Sequence, residues 1–229
     1  MLNIIEKAIE LMLTNDDSLI HIIVTTLKMC FSSSIVALLL GVPLGAFLTL
    51  TKLPGKKVFI VINRTLMSMP PVVCGLLCYI LFSGVGPLRM LELLYTIKGM
   101  VVAQVMLITP IVAGNTETFL SGLVPGILET TKGLNLSSFK TFKLTVLESK
   151  YQIFSTYLAG FARAIAEVGA VSMVGGGIVY KTNVMTTAIM NYTSRGDFTR
   201  AMAIGIILMM ISLLVNIIVH LLSERTVRR

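Results

Sequence analysis

The sequence predicts an all-α membrane protein that crosses the bilayer five times. Three observations carry that prediction. Only 13% of the 229 residues are charged, and mean hydropathy is +0.89. Residues 29–51, 65–88 and 201–223 hold no Asp, Glu, Lys or Arg. Each run is long enough to cross about 30 Å of hydrocarbon at about 1.5 Å per residue. A soluble domain of this length buries one core and has no room for several such runs. The runs are also solid rather than alternating, which excludes a β-barrel.

The elements follow in order along one transmembrane domain, residues 1–229. Residues 1–20 carry a short amphipathic pattern and an acidic turn. They lack the basic start, apolar stretch and small-residue cleavage site of a secretory signal, so they predict a short helix on the membrane surface. Span 1 covers residues 20–51. Its "GVPLG", residues 41–45, sets Pro43 between two glycines and predicts a bend. Span 2 covers 66–82, with Pro70 and Pro71 breaking its start. Span 3 covers 99–123, with a bend expected at Pro110. A polar loop, 124–150, leads to span 4 at 151–178, and span 5 covers 201–222. One half of the chain does not repeat in the other.

The net charge of +8 points to the membrane rather than to nucleic acid, because the basic residues lie between the apolar runs. Eleven of them fall on one side: Lys52, Lys56, Lys57 and Arg64; Lys132, Lys140, Lys143 and Lys150; Arg225, Arg228 and Arg229. The other side has six, namely Lys7, Arg89, Lys98, Lys181, Arg195 and Arg200. The richer side is expected in the cytoplasm, which puts the N-terminus outside and the C-terminus inside. Cys30, Cys74 and Cys78 fall in apolar spans and read as packing thiols. Cys74 and Cys78 share a face, but no His or carboxylate joins them. His21 and His220 also lack ligand partners nearby, so no metal site is expected.

The loop "LETTKGLNLSSFKTFKLTVLESK", residues 128–150, predicts two short amphipathic helices joined near Asn135. Phe139, Phe142, Leu144 and Leu147 could meet a partner protein or rest on lipid headgroups. The segment resembles the coupling loop of ABC importer permeases, which carries Glu-Ala-Ala, a Gly six residues after the Glu, and an apolar-Pro end. Glu129 matches the Glu, Thr130 and Thr131 replace the alanines, and Asn135 stands for the Gly. Glu148 stands where many members have Pro. Asn is the non-Gly residue that best tolerates a left-handed turn, so Asn135 keeps that geometry. The resemblance assigns ATPase coupling to Glu129, Thr130, Thr131, Lys132, Gly133, Leu134, Asn135, Leu136, Phe139 and Phe142.

Two further segments extend the likeness, which runs from about residue 17 to 222. "TLMSMPPVVCGLL", residues 65–77, and "GFARAIAEVGAVSMVGGGIVYKTNVMTTAI", residues 160–189, resemble oxyanion importer permeases for molybdate and tungstate. The Val-Gly-Ala-Val and Gly-Gly-Gly portions, with "TTAIMNYTSRGDFTRAMAIGIIL", are more similar to the tungstate branch. The resemblance implies a prokaryotic plasma-membrane importer that works by alternating access. It implies two copies of this chain, two ATPase subunits that hold ATP and Mg, and an external oxyanion-binding protein. The sequence has no G-x-x-x-x-G-K-[ST] phosphate loop of its own, so no ATP site and no catalytic residue is expected here. The alternatives are a molybdate or other oxyanion permease, an ion-coupled secondary transporter, or an intramembrane enzyme. The missing internal repeat weighs against the secondary transporter. The lack of paired carboxylates, a His cluster or a Ser–Lys arrangement within the spans weighs against the enzyme.

Arg163 and Glu167 stand one helical turn apart inside span 4. Near mid-membrane each charge costs roughly 2.5–3.5 kcal/mol on insertion scales. The nine Ile, Leu, Phe and Val residues of the span return only about 3–5 kcal/mol in total. Span 4 is therefore expected inside the bundle, near a two-copy interface. The pair is either a structural ion pair or part of the path. On the second reading Arg163 attracts a divalent oxyanion, Glu167 keeps it from binding too tightly, and Thr182, Thr186 and Thr187 offer hydroxyl donors near the outer mouth.

Overall fold

The computed structural model describes residues 16–50 and 54–227, together with Glu6 and Glu10. The surface helix expected over residues 1–20 therefore lies mostly outside the described residues. Among those described, helices make up the fold and no strand occurs. In chain order they are α1 (Asp17–Leu50), α2 (Lys56–Met67), α3 (Pro71–Phe82), α4 (Ile97–Gly133), α5 (Ser138–Glu148), α6 (Lys150–Ile165), α7 (Gly169–Gly175), α8 (Met185–Ser194) and α9 (Phe198–Val227).

Among the described residues, three helices are long and apolar enough to cross a membrane unaided: α1, α4 and α9. Their ends carry local caps. The Asp16 carboxylate accepts the Ser18 N–H at 2.8 Å, the Thr96 hydroxyl accepts the Gly99 N–H at 3.1 Å, and the Asp197 carboxylate accepts the Arg200 N–H at 3.1 Å. The other two spans are bent pairs. α2 and α3 meet at 96°, and α6 and α7 at 60°, which gives up to five spans.

The structure departs from the sequence-based boundaries in four places. The stretch read as the loop between spans 1 and 2 is largely helix α2, which turns into α3 at Pro70–Pro71. Proline disfavours helix in the residue before it and brings no N–H donor, so α3 can only restart with Pro71 in its first turn. Pro43 and Pro110, by contrast, sit inside unbroken helices, as does Pro125. The Pro110 carbonyl also accepts the Asn63 side-chain amide of α2 at 3.1 Å. α4 runs ten residues past its expected end and absorbs the first part of the 124–150 loop. Span 4 is not continuous, since α6 stops at Ile165 and α7 begins at Gly169.

The two glycines of "GVPLG" also serve packing. A Cβ on Gly41 would lie 2.7 Å from the Val112 Cβ, and one on Gly45 would overlap the Ala113 carbonyl. These two glycines, four residues apart, let the α1 backbone lie directly on α4, as small residues do wherever membrane helices approach closely. α4 is the centre of the bundle. Met100, Ile108 and Val112 pack with Met29, Cys30 and Ala37 of α1 and with Ala164 and Ile165 of α6. Ala103 and Leu107 pack with Cys74, Cys78 and Phe82 of α3 and with Ala170 and Val174 of α7. A third cluster joins Leu19 and Ile22 of α1 to Met185 and Ala188 of α8 and Ile204 of α9.

Candidate functional site

The break between α6 and α7 gathers the polar groups of the bundle. A helix that stops inside hydrocarbon strands backbone N–H and C=O groups, which no water can satisfy there. Side chains supply the partners. Glu167 Oε1 accepts the Ala170 N–H at 3.2 Å and so ties down the first turn of α7. The Glu167 carbonyl accepts the Thr186 hydroxyl at 2.9 Å. The Ala164 carbonyl, in the last turn of α6, accepts the Glu167 N–H at 3.2 Å and the Gln104 amide at 2.8 Å. Gln104 is fully buried and also accepts the Ser33 hydroxyl at 2.7 Å.

Arg163 reaches across this break. Its Nη1 lies 2.9 Å from Glu167 Oε2, so the i, i+4 pair expected from the sequence is formed. The two partners differ in environment. The Glu167 side chain is 3% exposed and the Arg163 side chain 35%. The break lies against the corner of the other bent span. A Cβ on Gly169 would meet Val72 Cγ2 at 2.9 Å, and one on Gly75 would meet the Ala170 Cα at 2.7 Å. The two bent spans thus touch close to their bends.

The three threonines are spent differently from the sequence expectation. Thr182 donates to the Gly175 carbonyl at 2.6 Å and accepts the Ile178 N–H at 3.0 Å, which closes the end of α7. Thr186 holds the Glu167 carbonyl. Thr187 accepts the Val184 N–H at 3.0 Å and lies within bonding distance of Asn183 Oδ1, 3.1 Å, and the Val184 carbonyl, 3.0 Å. All three are buried. Their hydroxyl groups are engaged within the fold in this structure rather than offered as free donors. Sequence reasoning missed Gln104, Ser33 and Thr26, whose hydroxyl accepts the Met185 N–H at the start of α8, at 2.9 Å. The available signal was an uncharged polar residue inside a long apolar run.

The second candidate region is the turn after α4. Glu129, Thr130, Thr131, Lys132 and Gly133 form the last turns of that helix. The Leu134 N–H returns to the Thr130 carbonyl at 3.1 Å, and the Leu136 N–H to the Thr131 carbonyl at 2.9 Å. Between them Asn135 takes φ = 53°, in the left-handed region. One long and one short helix meet here, rather than the two short ones expected. Leu128, Thr131, Lys132, Asn135, Leu136 and Thr141 line an open groove at this turn. The side chains of Phe139 and Phe142 lie outside the described residues.

The sequence pattern described as "binding-protein-dependent transport system inner membrane component" matches residues 22–228. The chain belongs to that family. The permease is 34% identical over 217 residues to the tungstate uptake system permease protein TupB of Peptoclostridium acidaminophilum, covering 95% of each chain. It is also 34% identical to the protein of the same name from Campylobacter jejuni, over 96% of this chain and 92% of that one. A probable anion ABC transporter permease protein of Haloferax volcanii is 31% identical, over 89% and 90%. The permease is therefore the membrane-spanning subunit of an ABC importer. Such subunits are not themselves enzymes, and the family works in general with an ATPase and a binding protein.

Proposed function

We propose that the permease moves a tetrahedral oxyanion, tungstate, into the cytoplasm by alternating access driven by ATP on a separate subunit. The observation that carries this reading is the 34% identity, end to end, with two tungstate uptake permeases. In the complete importer two copies of this single transmembrane domain pair with two ATPases, and an external binding protein delivers the anion. The excess of Lys and Arg around residues 52–64, 132–150 and 225–229 supports an N-terminus outside and the Asn135 turn in the cytoplasm. The groove at that turn then suits docking of the ATPase, with Glu129 to Leu136 at its centre. ATP and Mg belong to the partner.

A second reading keeps the mechanism and changes the anion. Sulfate transport permeases such as that of Salmonella typhimurium are 27% identical over 89% of the chain, so the scaffold suits several tetrahedral oxyanions. Molybdate is the alternative cargo. One experiment tests both. The permease, its ATPase and its binding protein are reconstituted in proteoliposomes and supplied with tungstate, molybdate or sulfate. Uptake that needs ATP, stops with orthovanadate and prefers tungstate is expected. Uptake that ignores ATP but collapses with an ion gradient overturns the ABC mechanism. A preference for molybdate changes only the cargo.

A further inference from the structure

We propose that Arg163 is a transient oxyanion site within the membrane and that Glu167 is a built-in competitor for its guanidinium. The proposal deepens the anion-import reading above and rests on it. The argument begins with how unequally the two residues are held. One Glu167 oxygen faces the Ala170 N–H and the other faces Arg163, while the residue's own carbonyl is held by Thr186. The Glu167 side chain is also almost wholly buried. It cannot leave without undoing the first turn of α7. Arg163 stands on the last turn of α6 with about a third of its side chain open. Of the pair, Arg163 is the partner free to turn.

The shape of the contact points the same way. A guanidinium presents its N–H groups as a planar fork that matches two oxygens of one acceptor. Glu167 gives Arg163 one oxygen, because the other serves the α7 backbone. A tetrahedral oxyanion offers two oxygens at once and carries twice the charge. It can therefore draw Arg163 away when it arrives. Once the anion moves on, the fixed carboxylate recaptures the guanidinium. That competition keeps the site weak, as conduction requires of any site along a path. Charges within a membrane segment point first to function.

The test uses the permease–ATPase complex in detergent, without the binding protein, and tungstate by equilibrium dialysis. Glu167→Gln keeps an acceptor for the Ala170 N–H but frees Arg163. It is expected to bind tungstate at least tenfold more tightly than the wild type. Once that variant is reconstituted with the binding protein, its maximal uptake should be slower. Arg163→Gln should lose binding and uptake by tenfold or more, and Arg163→Lys should retain part of both. The double variant Arg163→Glu with Glu167→Arg reverses the charges of the pair but leaves the Ala170 N–H without its acceptor, and it should not transport. Tungstate binding by Glu167→Gln within twofold of wild type overturns the proposal, as does normal uptake by the swapped variant. Should Arg163→Gln fail to assemble, Glu167→Gln and Arg163→Lys still decide. A wild-type complex that shows no ATP-dependent oxyanion uptake fails at the earlier reading instead, so the two failures are distinct.

Discussion

The side-chain amide of Gln104 on α4 donates to the Ala164 carbonyl across 2.8 Å, in the turn where α6 ends. Its oxygen takes the Ser33 hydroxyl of α1 at 2.7 Å, so one fully buried residue ties three helices together beside the break. Gln104→Leu removes both bonds, while the Ala164 carbonyl keeps the Glu167 N–H and the Ser33 hydroxyl keeps the Cys30 carbonyl. The expected loss is about 1–3 kcal/mol. It should appear as a lower unfolding midpoint in detergent, followed by alkylation of the buried thiols of Cys30, Cys74 and Cys78. An unchanged midpoint contradicts the role given to Gln104.

The close approach of α1 and α4 should be intolerant of side chains. Gly45→Val would drive its methyl groups into the Ala113 carbonyl and Thr116. Overpacking of this kind costs about 1–3 kcal/mol, and more where backbone is in the way. Gly205 on α9 has nothing within 4 Å of an added Cβ and serves as the control. Size-exclusion profiles after a heating series should show Gly45→Val aggregating first and Gly205→Ala matching the wild type. Equal stability of the two variants would remove the packing argument.

Asn135 should accept glycine and reject a branched side chain. Its φ of 53° costs a β-branched residue on the order of 1–3 kcal/mol of local strain. Asn135→Val is expected to insert normally but to lose ATPase binding or uptake, whereas Asn135→Gly keeps both. Pull-down of the ATPase and uptake in proteoliposomes read the two effects separately. Full coupling in the valine variant excludes the turn from docking.

The proposed orientation can be read by labelling. In a background with Cys30, Cys74 and Cys78 replaced by alanine, Ser194→Cys should react with a membrane-impermeant maleimide in intact cells. Thr141→Cys should react only after permeabilisation. The reverse pattern inverts the topology.

The long apolar runs made the all-helical membrane class readable at once, because hydrocarbon thickness sets a length that few other structures need. The i, i+4 pairing of Arg163 with Glu167 was readable for a similar reason, since helical spacing alone brings the two together. Local sequence did not show where helices break. Pro43, Pro110 and Pro70–Pro71 look alike in a string of letters. Only the last pair interrupts a helix, because two prolines in succession remove two donors and restrict the residue before each. The break at Ala166–Val168 contains no proline or glycine. Glu167, Thr186 and Gln104 satisfy the backbone there, and two of those partners come from separate helices, α8 and α4. The partners of Thr182, Thr186 and Thr187 were illegible for the same reason. A hydroxyl's partner is a tertiary fact, and sequence gives only the hydroxyl.

α4 carries 37 residues without interruption, a rod of about 55 Å that joins Thr96 at one end to the Asn135 turn at the other. Its Ala164 tether through Gln104 lies nearer the Thr96 end than the Asn135 end. A rod pivoting there amplifies: a tilt of about 5° sweeps its far end sideways by a few ångströms while the pivot barely shifts. The mechanical advantage runs in the useful direction. A broad push on the long arm at Asn135 becomes a short, forceful displacement of the Thr96 end beyond the pivot, so the helix acts as a reducing lever.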